Sequence, residues 1–425
     1  MKKSLAVLTI FLLLAFNCLE QSHAATPSPK IGARCSKVGV TTKAGANLLV
    51  CSRTGNKLLW IKKADQSTRS KPKSIVFKAK IPITLPVPQN GTITFANITD
   101  HVSEIPKVAW QSVQNLIAAS NAKSIPHDIF VGPNTPLSIS GGIPRIDSTI
   151  ERSAKLWSGF ASTSRITLVY FNLGDKEWAI QKVKDVWAKN GYSPSKPDGA
   201  IHGLQIMCEQ QASPGKGGAA LGYCQGANTG VIQNSTDSLG TFAEGSVQHP
   251  DTHGSIVAHE LIHTYQHAQW IKSPSCIAKG SQCFTPALSH EFTPCWLSEG
   301  QPNSINSMTA IDDYNTYLTD RPSRLDTSQK IVQTSESSIK SFLYDQNPAT
   351  CYQNGPLYQQ GYGPGAMAVE ALVAIAGPQA TMALFSLGSE GQDFPTAFKN
   401  VYGITWDEGS TILAKVLSKE YSQSR

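Results

Sequence analysis

The sequence predicts an α+β protein: a small disulfide-stapled β module, then a larger domain whose mixed sheet lobe precedes a helical C-terminal lobe. Three observations lead there. Helical and strand periods alternate between residue 81 and about residue 234, which suits helices packed on a mixed sheet. A His-Glu-x-x-His stretch at residues 255–267 reads as a buried helix, and the pattern after it is mostly helical. Cys35 and Cys51 enclose a short β-rich segment set apart from the rest.

In chain order, Met1-Lys2-Lys3 is a basic head and Leu5 to Phe16 an apolar run too short to remain as an anchor. Ser22-His23-Ala24 before Ala25 is a small-x-small cleavage site. Residues 1–24 are therefore expected to be a signal peptide cut after Ala24, giving a secreted or cell-envelope protein. A lipoprotein acylated on Cys18 is disfavoured by Asn17, where a small residue is needed. Removing Lys2, Lys3 and Glu20 leaves 35 basic and 29 acidic residues, a net +6. That mild charge suits association with anionic cell-surface polymers. No basic run or interleaved aromatic ladder argues for nucleic acid, and no other segment reaches membrane-spanning length.

Residues 32–63 form the small module, with Gly32, Cys35, Gly39, Cys51 and Leu58-Leu59-Trp60 as short strands on one disulfide. It resembles the Cys–Cys–Trp modules that precede the main domain in some secreted bacterial proteins. Residues 64–80 are polar, basic and proline-bearing, a linker, and residues 81–425 form the main domain.

There, Ile81 to Leu85 and Thr92 to Phe95 suggest strands, and His101 to about Ala122 a helix. Ile129 to Val131 reads as a strand, Asp147 to Phe160 as a helix, Ser164 to Phe171 as a buried strand and Glu177 to Asn190 as a helix. Gly215 to Gly230 is glycine-rich. Ala366 to Ala376 is a helix closed by Gly377, and Gln379 to Tyr421 reads as three short helices.

Of nine cysteines, all but Cys18 lie in the mature chain, an even set suited to an oxidising compartment. Adjacent pairing gives Cys35–Cys51, Cys208–Cys224, Cys276–Cys283 and Cys295–Cys351. Asn-x-Thr sites at Asn90, Asn97 and Asn234 would carry glycans only in a eukaryotic host.

The chemistry centres on the helix. His259 and His263 sit four apart, so both rings leave one face and can hold one Zn²⁺. Glu260 lies beside them, where it can take a proton from a zinc-bound water. A catalytic zinc wants a third protein ligand. His267 continues the row, Glu291 follows downstream, and Glu299 lies in Cys295-Trp296-Leu297-Ser298-Glu299-Gly300.

Through His-Glu-x-x-His and Trp296-x-x-Glu299-Gly300 the chain resembles the gluzincin metallopeptidases. Thirty-five residues separate His263 from Glu299, more than the shortest members have, and the excess contains Cys276 and Cys283. The resemblance implies a two-lobed zincin-like domain with one Zn²⁺ on His259, His263 and Glu299, and Glu260 as general base. It gives Asn303 a supporting place, orienting a ligating histidine, although some families have Asp there. It makes residues 229–234, with Gly230, Val231 and Ile232, an edge strand that pairs with an extended peptide. Tyr358, in Tyr358-x-x-Gly361, is the first candidate to donate to the oxyanion, and Tyr362 the second.

The expected protein is thus a secreted, monomeric zinc metallopeptidase acting on peptides or proteins. Two alternatives remain: a zinc amidase acting on cell-wall crosslinks, and a non-catalytic zinc-fold surface or binding protein. Intact Glu260 argues against the last.

Overall fold

The computed structural model describes residues 29–45, 47–54, 57–62, 77–89, 91–194, 226–244, 251–321, 333–344 and 355–423. The expected signal peptide, most of the expected linker, Asn90, Cys208, Cys224 and Cys351 lie outside the described residues. The chain divides into two compact units, Met1–Val76 and Phe77–Arg425.

In the first unit β1 (Thr41–Ala44), β2 (Asn47–Thr54) and β3 (Lys57–Lys62) form an antiparallel meander. Among its described residues the buried hydrophobic ones are Leu49 and Cys51, too few to hold a fold on apolar burial alone. The Cys35–Cys51 disulfide closes a sequence separation of 16, a crosslink worth about 3 kcal/mol against the unfolded chain.

The second unit contains a four-stranded sheet of order β4-β5-β7-β6: β4 (His127–Val131), β5 (Ile166–Phe171), β6 (Gly226–Val231) and β7 (Ser238–Ala243). β4, β5 and β7 run parallel, and β6 is antiparallel at the edge. Every residue of β5 and β7 is buried, so neither strand has a polar face to alternate with. α1 (Ile105–Ala119), α2 (Gly142–Leu156) and α3 (Lys176–Lys189) alternate with these strands.

Helices dominate after β7. α4 (Ser255–Ala268) is followed by α5 (Pro274–Lys279), α6 (Thr285–Phe292), α7 (Cys295–Ser298), α8 (Gly300–Ala310), α9 (Tyr314–Asp320) and α10 (Glu336–Tyr344). Then come α11 (Gly355–Gln360), a π-turn at Gly361–Gly365, α12 (Ala366–Ala376), α13 (Pro378–Ser389), α14 (Phe394–Tyr402) and α15 (Trp406–Gln423). α12 is apolar except for Glu370 and is buried between α1, α8, α13 and α15. No single helix among the described residues is long and apolar enough to cross a membrane.

Two expected strands are absent. Ile81 to Leu85 is an irregular strap. Pro82 and Pro86 bring no N–H to a ladder, and Ile81, Ile83 and Leu85 are used for packing on the core. Thr92 to Phe95 bends into turns because the Asn97 Oδ1 accepts from the Thr94 backbone N–H at 2.7 Å and from its hydroxyl at 3.0 Å. The expected linker also ends early. Ala79 is docked, its N–H donating to Glu390 Oε1 at 2.7 Å. The last of the three C-terminal helices is not short: α15 has 18 residues.

Candidate metal centre

α4 packs against α2, α6, α8 and β6, and that enclosure buries most of it. Its entry needs Gly254, whose φ is +81° and whose Cβ position would meet Ile139 at 2.8 Å. The cap is Asp251: its carboxylate accepts from the N–H of Ser255 at 2.7 Å and of Ile256 at 3.0 Å. Nothing in the sequence had singled Asp251 out.

One helical turn apart, the His259 and His263 rings lie 4.9 Å from each other. Glu299 joins them from the corner between α7 and α8. One donor atom from each of these three residues lies within 4.8 Å of the other two. Glu299 Oε2 is 3.3 Å from His263 Nε2 and 3.7 Å from His259 Nε2. Two donors bonded to a tetrahedral metal at 2.0–2.1 Å stand roughly 3.3 Å apart, so the spacing fits a metal. The carboxylate supplies a second sign. Glu299 is 4% exposed and its Oε2 faces the two imidazole Nε2 atoms, a buried carboxylate that either a proton on the histidines or a cation must balance. His₂Glu is a donor set that suits Zn²⁺.

Charge in the group is strongly coupled. Burial works against ionisation of Glu299, but His263 and His259 outweigh it and hold the carboxyl well below its usual range. Burial likewise opposes protonation of His263, yet Glu299 lifts that ring to about 9. A cation entering here takes over the role of that proton. Burial raises the Glu260 carboxyl, and the two histidines offset part of the rise.

His263 Nδ1 lies 2.8 Å from Gln266 Oε1. Gln266 in turn donates to the Ser298 carbonyl at 3.1 Å and to Gln301 Oε1 at 2.7 Å. Asn303, expected to orient a ligating histidine, donates instead to the backbone carbonyl of Tyr362. From its place on α8 it reaches the π-turn, and Gln266 already occupies the back of His263.

α11 and that π-turn each bring one phenol to the site. Tyr358 donates to Glu299 Oε1 at 3.0 Å, and its oxygen lies 3.0 Å from the Tyr362 hydroxyl. The Tyr362 ring stacks on His259 at 6.1 Å with 4° between the planes. Burial, reinforced by Glu299, raises both phenols above their ordinary value, so they stay protonated as donors. Such closeness of segments needs glycine. A Cβ on Gly300 would sit 2.5 Å from the Gly365 carbonyl carbon, and one on Gly365 2.5 Å from the Trp296 oxygen.

The group opens into a cleft of about 640 Å³ lined by His259, Glu260, His263, Glu299, Tyr358 and Tyr362, and by the β6 side of the sheet. Gly230 and Val231 lie in β6 and Ile232 just after it, and all three line this cleft. The strand sits three residues earlier than the expected 229–234. Thr229 ties it to α4 through a 2.9 Å contact with the Thr264 hydroxyl.

The rival ligands lie elsewhere. Glu291 pairs with Lys279 at 3.4 Å on the surface. His267 stacks behind His263 at 5.9 Å and packs on His290. Burial holds the His267 imidazole well below its ordinary value and His290 at about 4. The Cys276–Cys283 disulfide is formed in the excursion between the ligands, and Cys295, four residues before Glu299, is disulfide-bonded.

The chain matches no protein-family model, no curated protein and no solved structure.

Proposed function

We propose that this chain is a secreted zinc metallopeptidase of the gluzincin type, with a zincin-like two-lobed catalytic unit. The observation that carries the reading is Glu299. It is brought from beyond a 35-residue excursion to lay a buried carboxylate oxygen against both histidines of the His-Glu-x-x-His helix. The paired disulfides suit an oxidising compartment.

His259, His263 and Glu299 would hold the ion, and Zn²⁺ there supplies a Lewis acid for the scissile carbonyl and acidifies a water. Glu260 receives the proton of the attacking water and delivers it to the departing amine. Its burial makes the carboxylate a stronger base than one in water. The edge of β6 offers backbone N–H and C=O groups to an extended peptide in the cleft.

Between the tyrosines the roles divide. Tyr358 spends its proton on Glu299, so the Tyr362 hydroxyl, at the cleft beside His259, is the donor that can turn to a developing oxyanion. This reverses the order of preference drawn from the sequence.

The test is a quenched-fluorescence peptide library with parent protein and Glu260→Gln. The parent should cleave a subset. The variant should keep its zinc and lose about 10²- to 10⁴-fold in kcat/KM. Zinc-loaded parent that cleaves no peptide would overturn the peptidase reading and favour a binding role.

A further inference from the structure

We propose that Gln266, Gln301 and Thr381 form a one-way hydrogen-bond relay that locks His263 in the tautomer whose Nε2 is free for the metal. The inference rests on the metal-site reading above.

The direction of the relay follows from its far end. The Pro378 carbonyl can only accept, and the Thr381 hydroxyl donates to it at 2.7 Å. The single hydroxyl proton is then used, so toward Gln301 the Thr381 oxygen must accept, from Gln301 Nε2 at 2.7 Å. Gln301 therefore presents Oε1 at its other end, where it accepts from Gln266 Nε2 at 2.7 Å. The Ser298 carbonyl, also an acceptor only, takes the second hydrogen of the same nitrogen at 3.1 Å. Gln266 is left with Oε1 facing His263 Nδ1 at 2.8 Å. That oxygen accepts, so Nδ1 carries a proton whether or not metal is bound, and Nε2, which faces Glu299, is the nitrogen left to give its lone pair to a metal.

Gln266, Gln301 and Thr381 are each 0% exposed, so no water can repair a reversed amide. Turning Gln266 over would set its oxygen against the Ser298 carbonyl and the Gln301 oxygen. The orientation of a ligand on α4 is thus set from α13, through α8. These are positioning residues, since none touches the metal position.

The test is zinc affinity by competition with a chromophoric chelator, with long-range ¹H–¹⁵N correlation on the zinc-loaded protein. Gln266→Ala should weaken zinc about 10- to 100-fold. Thr381→Val, nearly isosteric and remote from the site, should weaken it about fivefold, the effect of one lost hydrogen bond. Thr381→Ser should restore parent affinity. In the parent, the His263 proton should be on Nδ1 and the metal on Nε2. Coordination through Nδ1, or folded Gln266→Ala and Thr381→Val both binding within twofold of the parent, would overturn the relay. The parent NMR signature decides the matter even if a variant fails to fold. A parent that binds no zinc would instead overturn the metal-site reading.

Discussion

Gly300→Ala is the sharpest steric probe of how the Glu299 corner meets the tyrosine-bearing π-turn. The added Cβ would lie 2.5 Å from the Gly365 carbonyl carbon, 2.6 Å from its oxygen and 3.0 Å from the Ala366 nitrogen. Carbon–carbon contacts are comfortable at about 3.5–4.0 Å, so the segments must part by about 1 Å. The opposing atoms are main chain and cannot rotate away, which puts the cost near the top of the roughly 1–3 kcal/mol range for overpacking. In the unit Phe77–Arg425, an unfolding entropy of about 2.1 cal/mol/K per residue gives about 1.4 °C per kcal/mol, so Tm should fall by roughly 3–5 °C. The displacement also drags Tyr362, three residues before Gly365 and held by Asn303, off His259. The assay is thermal unfolding by circular dichroism, with Gly91→Ala as control. There a Cβ is exposed and meets nothing closer than 3.8 Å. A Tm change under about 1 °C for Gly300→Ala, equal to the control, would refute the close packing.

Three further predictions concern the tyrosines, the proton on His263 and the C-terminal core. Tyr362→Phe should lower kcat about 10²-fold or more with little change in zinc affinity, whereas Tyr358→Phe should chiefly weaken zinc, since it loses the bond to Glu299; equal effects in both assays would contradict the division. His263 is held at about 9 without metal, above its unfolded value, so its contribution to metal-free stability is complete below about pH 6.5 and disappears as pH rises through about 9. In the same window zinc uptake should release a proton and its apparent affinity should rise with pH, which calorimetry in buffers of different ionisation enthalpy measures; no proton release at pH 7 would contradict it. Arg321→Met leaves Glu370, at 0% exposure, without the guanidinium at 2.7 Å, and should cost about 3–5 kcal/mol in urea unfolding. A cost below about 1 kcal/mol would mean that this ion pair contributes little.

How far the molecule could be read from its residues depended on whether a signal was local. His259, Glu260 and His263 lie on one turn of helix, where sequence spacing fixes spatial spacing. Glu299 had no such spacing; only the Trp296-x-x-Glu299-Gly300 likeness suggested it. The mixed α+β architecture and the Cys35–Cys51 module were readable from periodicity and cysteine placement. β7 was not, because Ser-Leu-Gly-Thr-Phe-Ala neither alternates nor concentrates β-branched residues; it lies between β5 and β6 and is buried by the two core clusters that Phe242 and Leu239 enter. The proline-containing strap at Ile81–Leu85 looked like a strand by composition, although its prolines argued otherwise. Gln266 and Gln301 carry no pattern at all. A buried amide acquires its role only from the groups that folding brings to each end, here His263 at one end and Thr381 at the other.

The most direct test of the account is metal content of the purified mature protein beside Glu299→Ala, by plasma mass spectrometry after dialysis against a weak chelator. The account predicts one zinc per chain in the parent and loss of most of it in the variant. A parent without zinc, or a variant that keeps a full equivalent, would contradict the His259–His263–Glu299 centre.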